Sequence, residues 1–292
     1  MEQAVPLGRE VLEIAADGPS GRIVVSDSIS YGGDRFGPQD VLVVASYSGV
    51  ASFILGLRRG IKAIIGHDAG IGKDRAGVNG LAFAQSHGVP AAAVNAATAA
   101  LANGRSMLTA EISCCNESAR ALGVREGQNA LDAARCLLAS PAGRKIEVID
   151  AFDNSVHEVF KGKTGSILAS TSSFVFKDRI PNDVICIASH TGRVFAESAI
   201  SLTPRGAIAN DAGMGLQRSG VGGLPLLQEA GIPAASVAAM SARIGDGLST
   251  YHEGIISATN ALAEECGVRI GIPAKEAAML MLGEPPTAGH RT

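Results

Sequence analysis

Slid along itself by 143 residues, the sequence places Pro38-Gln39-Asp40-Val41 on Pro181-Asn182-Asp183-Val184, and the match runs ungapped for about sixty residues. Of the 59 positions from Val41 to Ala99, 22 are identical, and 15 of these lie between Ile65 and Ala92. A one-residue insertion then moves the offset to 144, where Gly123-Val124-Arg125 meets Gly267-Val268-Arg269 and Ala133-Ala134 meets Ala277-Ala278. The period is several times longer than that of solenoids and propellers, so each copy is a whole α/β half rather than a stacking unit. Ser140-Pro141-Ala142-Gly143 supplies turn chemistry for a junction. Residues 1–143 and 144–292 are therefore expected as two α/β repeats related by a pseudo-twofold.

Both copies read alike. Arg22–Ser26 and Ser166–Ser170 are short apolar runs expected as a first strand, with an added hairpin in copy two from Lys145–Ile149 to Val156–Phe160. Val41–Ala45 and Val184–Ala188 are continuous apolar runs of the kind buried on both faces of a parallel sheet. Helices are expected at Val50–Arg59 and Val194–Leu202, then strands at Lys62–Gly66 and Arg205–Ala209. Further helices follow at Gly80–His87 and Gly223–Ala230, stopped by Gly88 and Gly231, and third strands at Ala91–Val94 and Ala234–Val237. Strands alternating with helices at this spacing predict parallel βαβ units.

In open parallel sheets ligands bind beyond the carboxyl ends of strands, and here all three following loops are polar. The second strand leads into the shared pattern D-A-G-x-G-x-x-R-x-G-V-x-G-L, which starts at Asp68 and Asp211. Glycines let backbone amides approach a ligand, a following helix adds a positive dipole, and Arg75 or Arg218 could fork onto a carboxylate or phosphate. Gly213 and Gly215 are the corresponding backbone positions in copy two. The loop is neither a Walker loop nor G-x-G-x-x-G, so no nucleotide is implied. A purely structural account gives the glycines tight turns and close helix packing, with Asp68 and Asp211 capping helices.

The copies also differ. His190, Arg193, Glu197, Arg243 and Asp246 stand where copy one has Tyr47, Val50, Ile54, Ala100 and Asn103, and His252 and Glu253 have no chemical equivalent there. One of two related sites would then carry chemistry, with His190 or His252 as general base, since imidazole titrates nearest neutral pH. Asp211 and Glu253 complete the candidate catalytic set; Asp68, Arg75, Arg218, Ser241, Arg243, Asp246, Gly213 and Gly215 are the candidate binding set. His67, Asp68, His190, Asp211, His252 and Glu253 also have the donor types of a divalent-metal site, although no H-x-x-x-H or H-E-x-x-H spacing supports one. Cys114-Cys115 is expected at the start of a helix, as buried structural thiols.

From Gly220 to Ala234 the glycine loop, helix and G-I-P-A strand entry resemble swivelling α/β domains such as the phosphohistidine domain of PEP-utilising enzymes. That family's histidine would fall near Gly220–Gly223, where none stands, so phosphotransfer is not implied.

Hydrophobic residues at 46% and charged ones at 18% fit a globular chain, and a net charge of -3 spread without blocks leaves no footprint for nucleic acid or an anionic membrane. No apolar run reaches membrane length, the N-terminus carries no signal pattern, and five cysteines without a CxxC pair suit a reducing cytoplasm. The leading expectation is a cytoplasmic, homo-oligomeric enzyme acting on a small carboxylate-bearing metabolite, a hydrolase or hydro-lyase, at strand ends between the repeats. Cofactor identity stays open. The alternatives are a non-catalytic small-anion binding protein and a structural oligomer joined through the duplicated loops.

Overall fold

The computed structural model describes residues 12–31, 35–148 and 151–285. The first repeat runs β1 (Leu12–Gly18), β2 (Gly21–Ser26), β3 (Asp40–Tyr47), α1 (Val50–Arg59), β4 (Ala63–His67), α2 (Gly80–Ser86) and β5 (Ala91–Val94). It closes with α3 (Gly104–Leu108), β6 (Ile112–Cys115), α4 (Glu117–Ala121) and α5 (Ala130–Leu137). The second repeat follows the same order: β7 (His157–Lys161), β8 (Ser166–Ser170), β9 (Val184–His190), α6 (Arg193–Leu202), β10 (Gly206–Asn210), α7 (Leu224–Glu229) and β11 (Ala234–Val237). It ends with α8 (Gly247–Glu253), β12 (Ile256–Thr259), α9 (Ala261–Glu265) and α10 (Ala274–Leu282).

Each repeat forms a six-stranded mixed sheet, in order β1-β2-β3-β4-β5-β6 and β12-β11-β10-β9-β8-β7. The four inner strands are parallel and the two edge strands antiparallel. The fold is thus the duplicated α/β unit expected, with antiparallel edges added. Sequential order makes successive right-handed crossovers place their helices on one face. Accordingly Val24, Leu42, Val44 and Ile64 pack with Phe53 and Leu57 of α1 and Leu81 and Ala84 of α2. Alternation sends Val41, Val43 and Ile65 to the other face, against Met107, Ala130, Ala133 and Leu137 of α3 and α5. Both faces are covered, which is why these strands read as unbroken apolar runs.

Two expectations are corrected. Lys145–Val148 form no strand, and Ile149 lies outside the described residues; β7 pairs instead with β8 across Gly162–Gly165. Copy one has the matching hairpin, β1 with β2. Cys114 and Cys115 lie in β6 rather than at a helix start, because Asn116 caps α4 by accepting from the Ala119 N–H. Asn116 also accepts from Ala91 N and donates to Val89 O, and Asn260 does the same with Ala234 and Ile232. One buried amide thus ties the start of the inner strand to the end of the edge strand in each copy.

The chain divides into two compact units. One holds the described residues up to Phe152 together with Gly213–Ser219; the other holds those of 153–212 and 220–285. Within each unit a glycine opens the short helix after the fourth inner strand and rests on a strand backbone. A Cβ at Gly104 would lie 2.8 Å from the Ser26 carbonyl carbon, and one at Gly247 2.5 Å from Ser170 backbone atoms. Gly247→Ala is expected to lower stability by about 1–3 kcal/mol through this overlap. Gly18→Ala, with nothing within 4 Å of its added Cβ, should change it by less than about 0.5 kcal/mol. Urea unfolding followed by far-UV circular dichroism compares them, and equal midpoints would contradict the packing argument.

Candidate functional site

His67 ends β4 fully buried. Its Nδ1 accepts from Ala69 N at 3.0 Å, so the ring proton sits on Nε2, which donates to Ala99 O at 3.1 Å. In copy two Asn210 makes the same two bonds: its Oδ1 accepts from Ala212 N at 2.8 Å and its Nδ2 donates to Ala242 O at 3.1 Å. An imidazole and an amide serve alike because what is required is one acceptor and one donor pointing opposite ways. His67 is a neutral structural bracket, and burial holds its pKa below the ordinary histidine value.

The neighbouring aspartates stitch loops together. Asp68 Oδ1 accepts from Gly70 N at 2.9 Å and Ala96 N at 3.0 Å; Asp211 Oδ1 accepts from Ala239 N at 2.9 Å. Neither α2 nor α7 has a side-chain cap, which corrects the capping role expected of these residues: the carboxylates are turned toward the loops after β5 and β11. Asp211 has a further partner, for Ser257 on β12 donates to its Oδ2 at 2.8 Å. Ser236 O, at 3.3 Å, is a second and longer acceptor for the same hydroxyl, and the matching Ser113 donates to the equivalent Ala93 O at 3.2 Å.

The glycine loops wind left-handed. Ala69, Gly70, Ile71 and Gly72 have φ of 50°, 69°, 62° and 69°, with Asp74 and Arg75 at 52° and 57°; Ala212, Gly213, Met214, Gly215, Gln217 and Arg218 repeat the run. A β-branched residue such as Ile71 is strained there, and each such non-glycine residue costs roughly 1 kcal/mol. Gly72, with ψ of -177°, occupies a region essentially confined to glycine. Part of the loops' role is visible in the unit containing the first repeat. There Leu216 N donates to Ala99 O, the acceptor His67 also uses, and Leu101 N donates to Ser219 Oγ, both at 2.9 Å. The Gly213 Cα hydrogen approaches Gly70 so closely that a Cβ would lie 2.7 Å from the Gly70 Cα. Arg75 and Arg218 are exposed on these loops.

In the unit holding the second repeat, Arg243, Asp246 and Glu253 come together. Arg243 Nε reaches Asp246 Oδ2 at 3.3 Å and its Nη2 reaches Glu253 Oε1 at 2.9 Å. Ser249 completes the network: it donates to Glu253 Oε2 at 2.6 Å and accepts from Arg243 N at 2.9 Å. Asp246 also caps α8 through Ser249 N. His190, at the end of β9 and in register with Asn210, is buried, and its Nδ1 accepts from Gly192 N at 3.0 Å. With Nδ1 accepting, the proton of the neutral ring sits on Nε2. Ser241 is engaged with backbone, donating to Ala238 O and accepting from Ile255 N. His252 is exposed, edge-on to Tyr251.

The geometry thus gathers Arg243 with Asp246 and Glu253, while Arg218 belongs to the other compact unit. Ser249 and Ser257 were missed. Ser249 could have been found as the third residue after a capping Asp246, whereas nothing in β12 marks Ser257. Among the described residues no group of three or more His, Cys, Asp or Glu side chains is placed to hold a metal ion. All five cysteines are unpaired, and burial raises the pKa of Cys114, Cys115 and Cys266 and pushes Cys186 up to about 12. Raised thiol pKa values disfavour a thiolate nucleophile at neutral pH. No helix among the described residues is long and apolar enough to cross a membrane. No protein-family model, curated protein or solved structure matches the chain.

His67→Asn is expected to stay within about 1 kcal/mol of the parent, whereas His67→Ala, leaving Ala69 N without its acceptor and Ala99 O without this donor, should cost more than about 2 kcal/mol. The parent should also lose stability as pH falls below about 6.5, because the unfolded histidine takes up the proton more readily than the folded one. His67→Asn should lack that component. Denaturant midpoints between pH 5 and 8 measure both effects; a destabilised His67→Asn would refute the bracket role.

Proposed function

We propose that the chain is an enzyme acting on a small carboxylate-bearing metabolite, by hydrolysis or hydro-lyase chemistry, in the unit that holds the second repeat. The supporting observation is the unequal chemistry of two copies with one fold. Where the first repeat has Tyr47, Ala100 and Asn103, the second has His190, Arg243 and Asp246, the last two joined to Glu253 and Ser249. The first repeat builds the same sheet without counterparts of His190, Arg243 and Glu253, whereas Asn103 and Ser106 there keep the capping bonds that Asp246 and Ser249 make.

The roles follow from the hydrogen bonds. Neutral His190, with its proton on Nε2, is a donor to a substrate carbonyl or a developing oxyanion, a role favoured in a buried setting. Asp211, buried and bonded to Ser257 Oγ–H, takes the proton, directly or through that hydroxyl. Arg243 supplies positive charge for the substrate carboxylate, with Asp246 and Glu253 fixing its position. Five unpaired thiols fit a reducing, cytoplasmic setting. The second reading is a structural protein, and it is favoured by the glycine loop's bonds within its own unit, Leu216 N to Ala99 O and Leu101 N to Ser219 Oγ.

The duplication provides the control. With a substrate found by screening small carboxylates for turnover, Asp211→Asn should lower kcat by about 10²–10⁴-fold. Asp68→Asn, equally isosteric at the matching position, should leave kcat unchanged. Both should melt near the parent temperature, whereas Arg243→Ala should melt lower because it strands Glu253. Equal losses at Asp68 and Asp211, or none at either, would remove the second repeat as the seat of chemistry and leave the structural reading.

A further inference from the structure

At the opposite end of the strands from the glycine loop, the unit containing the first repeat has an open groove of about 880 Å³. Among the described residues lining it, five are cationic, Arg22, Arg35, Arg58, Arg59 and Lys145, and two are carboxylates, Asp17 and Asp40. Asp40 is consumed within the wall: Arg22 grips it with Nε and Nη2 at 2.7 and 2.8 Å, and Gly37 N donates to it at 2.8 Å. Arg59 lies 4.8 Å from the centroid of the buried Phe36 ring and donates to Ile29 O at 3.1 Å. Arg58 donates from Nε to Val148 O at 3.2 Å. Arg35 and Lys145 are exposed at the rim.

Basic residues at the end of a helix can be present only to complement its dipole, and the second repeat tests that explanation. Helix α6 matches α1 in length, ten residues, and both end in a left-handed residue, yet α6 closes on Ser201 and Leu202 with no basic residue in its last turn. Ser166 stands where Arg22 would, and it donates to Glu158 and, through its N–H, to Asp183. The second repeat therefore builds the same sheet without counterparts of Arg22, Arg58 and Arg59, and the first repeat has gathered positive charge here in a chain whose net charge is -3. A single carboxylate does not call for that much charge. Guanidinium forks favour phosphate oxygens, and the volume lies in the range of small-molecule sites.

The geometry points to a second ligand site in this groove, for a multiply charged, phosphate-bearing small molecule, separate from the chemistry proposed for the second repeat. Inorganic pyrophosphate is the probe, titrated into the full chain by isothermal calorimetry at low and at 0.3 M salt, the ionic strength being about twice physiological in the second arm. The expected result is saturable binding of one pyrophosphate per chain at micromolar to low-millimolar Kd, weaker at the higher salt. Arg35→Ala and Lys145→Ala, both at exposed positions, should each weaken it by about tenfold or more. Arg205→Ala in the second repeat and Asp211→Asn should bind as the parent does. Absence of saturable heat, or equal weakening by Arg205→Ala, would overturn the proposal. Neither outcome bears on the turnover test, so the two readings stand or fall separately.

Discussion

Burial of the inner strands on both faces is the constraint from which the rest follows. A strand such as Asp40–Tyr47, buried at every position, has no face on which to carry a polar side chain toward solvent. Helices α1 and α2 cover one side and α3 and α5 the other, and polar residues are driven to the strand ends. There the chain must satisfy backbone groups that the ladder no longer pairs. His67, Asp68 and Asn116 do so in the first repeat, and Asn210, Asp211 and Asn260 in the second.

The paired copies separate what the fold requires from what it tolerates. Histidine and asparagine exchange at one position because only the donor and acceptor directions matter there, whereas the aspartate that follows and the asparagine that ties the strand ends together are the same in both copies. The left-handed loops belong on the required side. Eight non-glycine residues hold positive φ in them, a strain of several kcal/mol in total, and backbone bonds such as Leu216 N to Ala99 O offset part of it. Glycines facing each other at Gly70 and Gly213 permit an approach that any side chain would block.

Charge is where the copies part. The first repeat gathers guanidinium groups at the amino ends of its strands, and the second gathers Arg243, Asp246 and Glu253 at the carboxyl ends. Neither cluster is needed for the sheet, since each is absent from the other copy. A duplicated scaffold with a stable core leaves its strand ends open to independent change, because those residues contribute little to the buried apolar area that holds the sheet together.

The repeat, the parallel strands and most element positions were determined by the sequence alone, because burial imposes unbroken apolar runs and glycine marks the helix ends at Gly88 and Gly231. Of the antiparallel edges only β7 was legible, as the run Val156–Phe160. Strands β1, β6 and β12 are short or half exposed, with no alternation strong enough to separate them from loop or helix, so Cys114-Cys115 reads from sequence as a helix start although it lies in β6. Of the candidate site, the identities of His190, Asp211, Arg243, Asp246 and Glu253 could be picked out by comparing the copies. Their roles were decided by tertiary structure. The side on which His190 carries its proton depends on Gly192 N, the partner of Asp211 is a serine 46 residues away on another strand, and Arg243 is bound by its own acidic neighbours. Composition and spacing determine which residues stand at the strand ends, but hydrogen-bond direction is a property of three-dimensional neighbours.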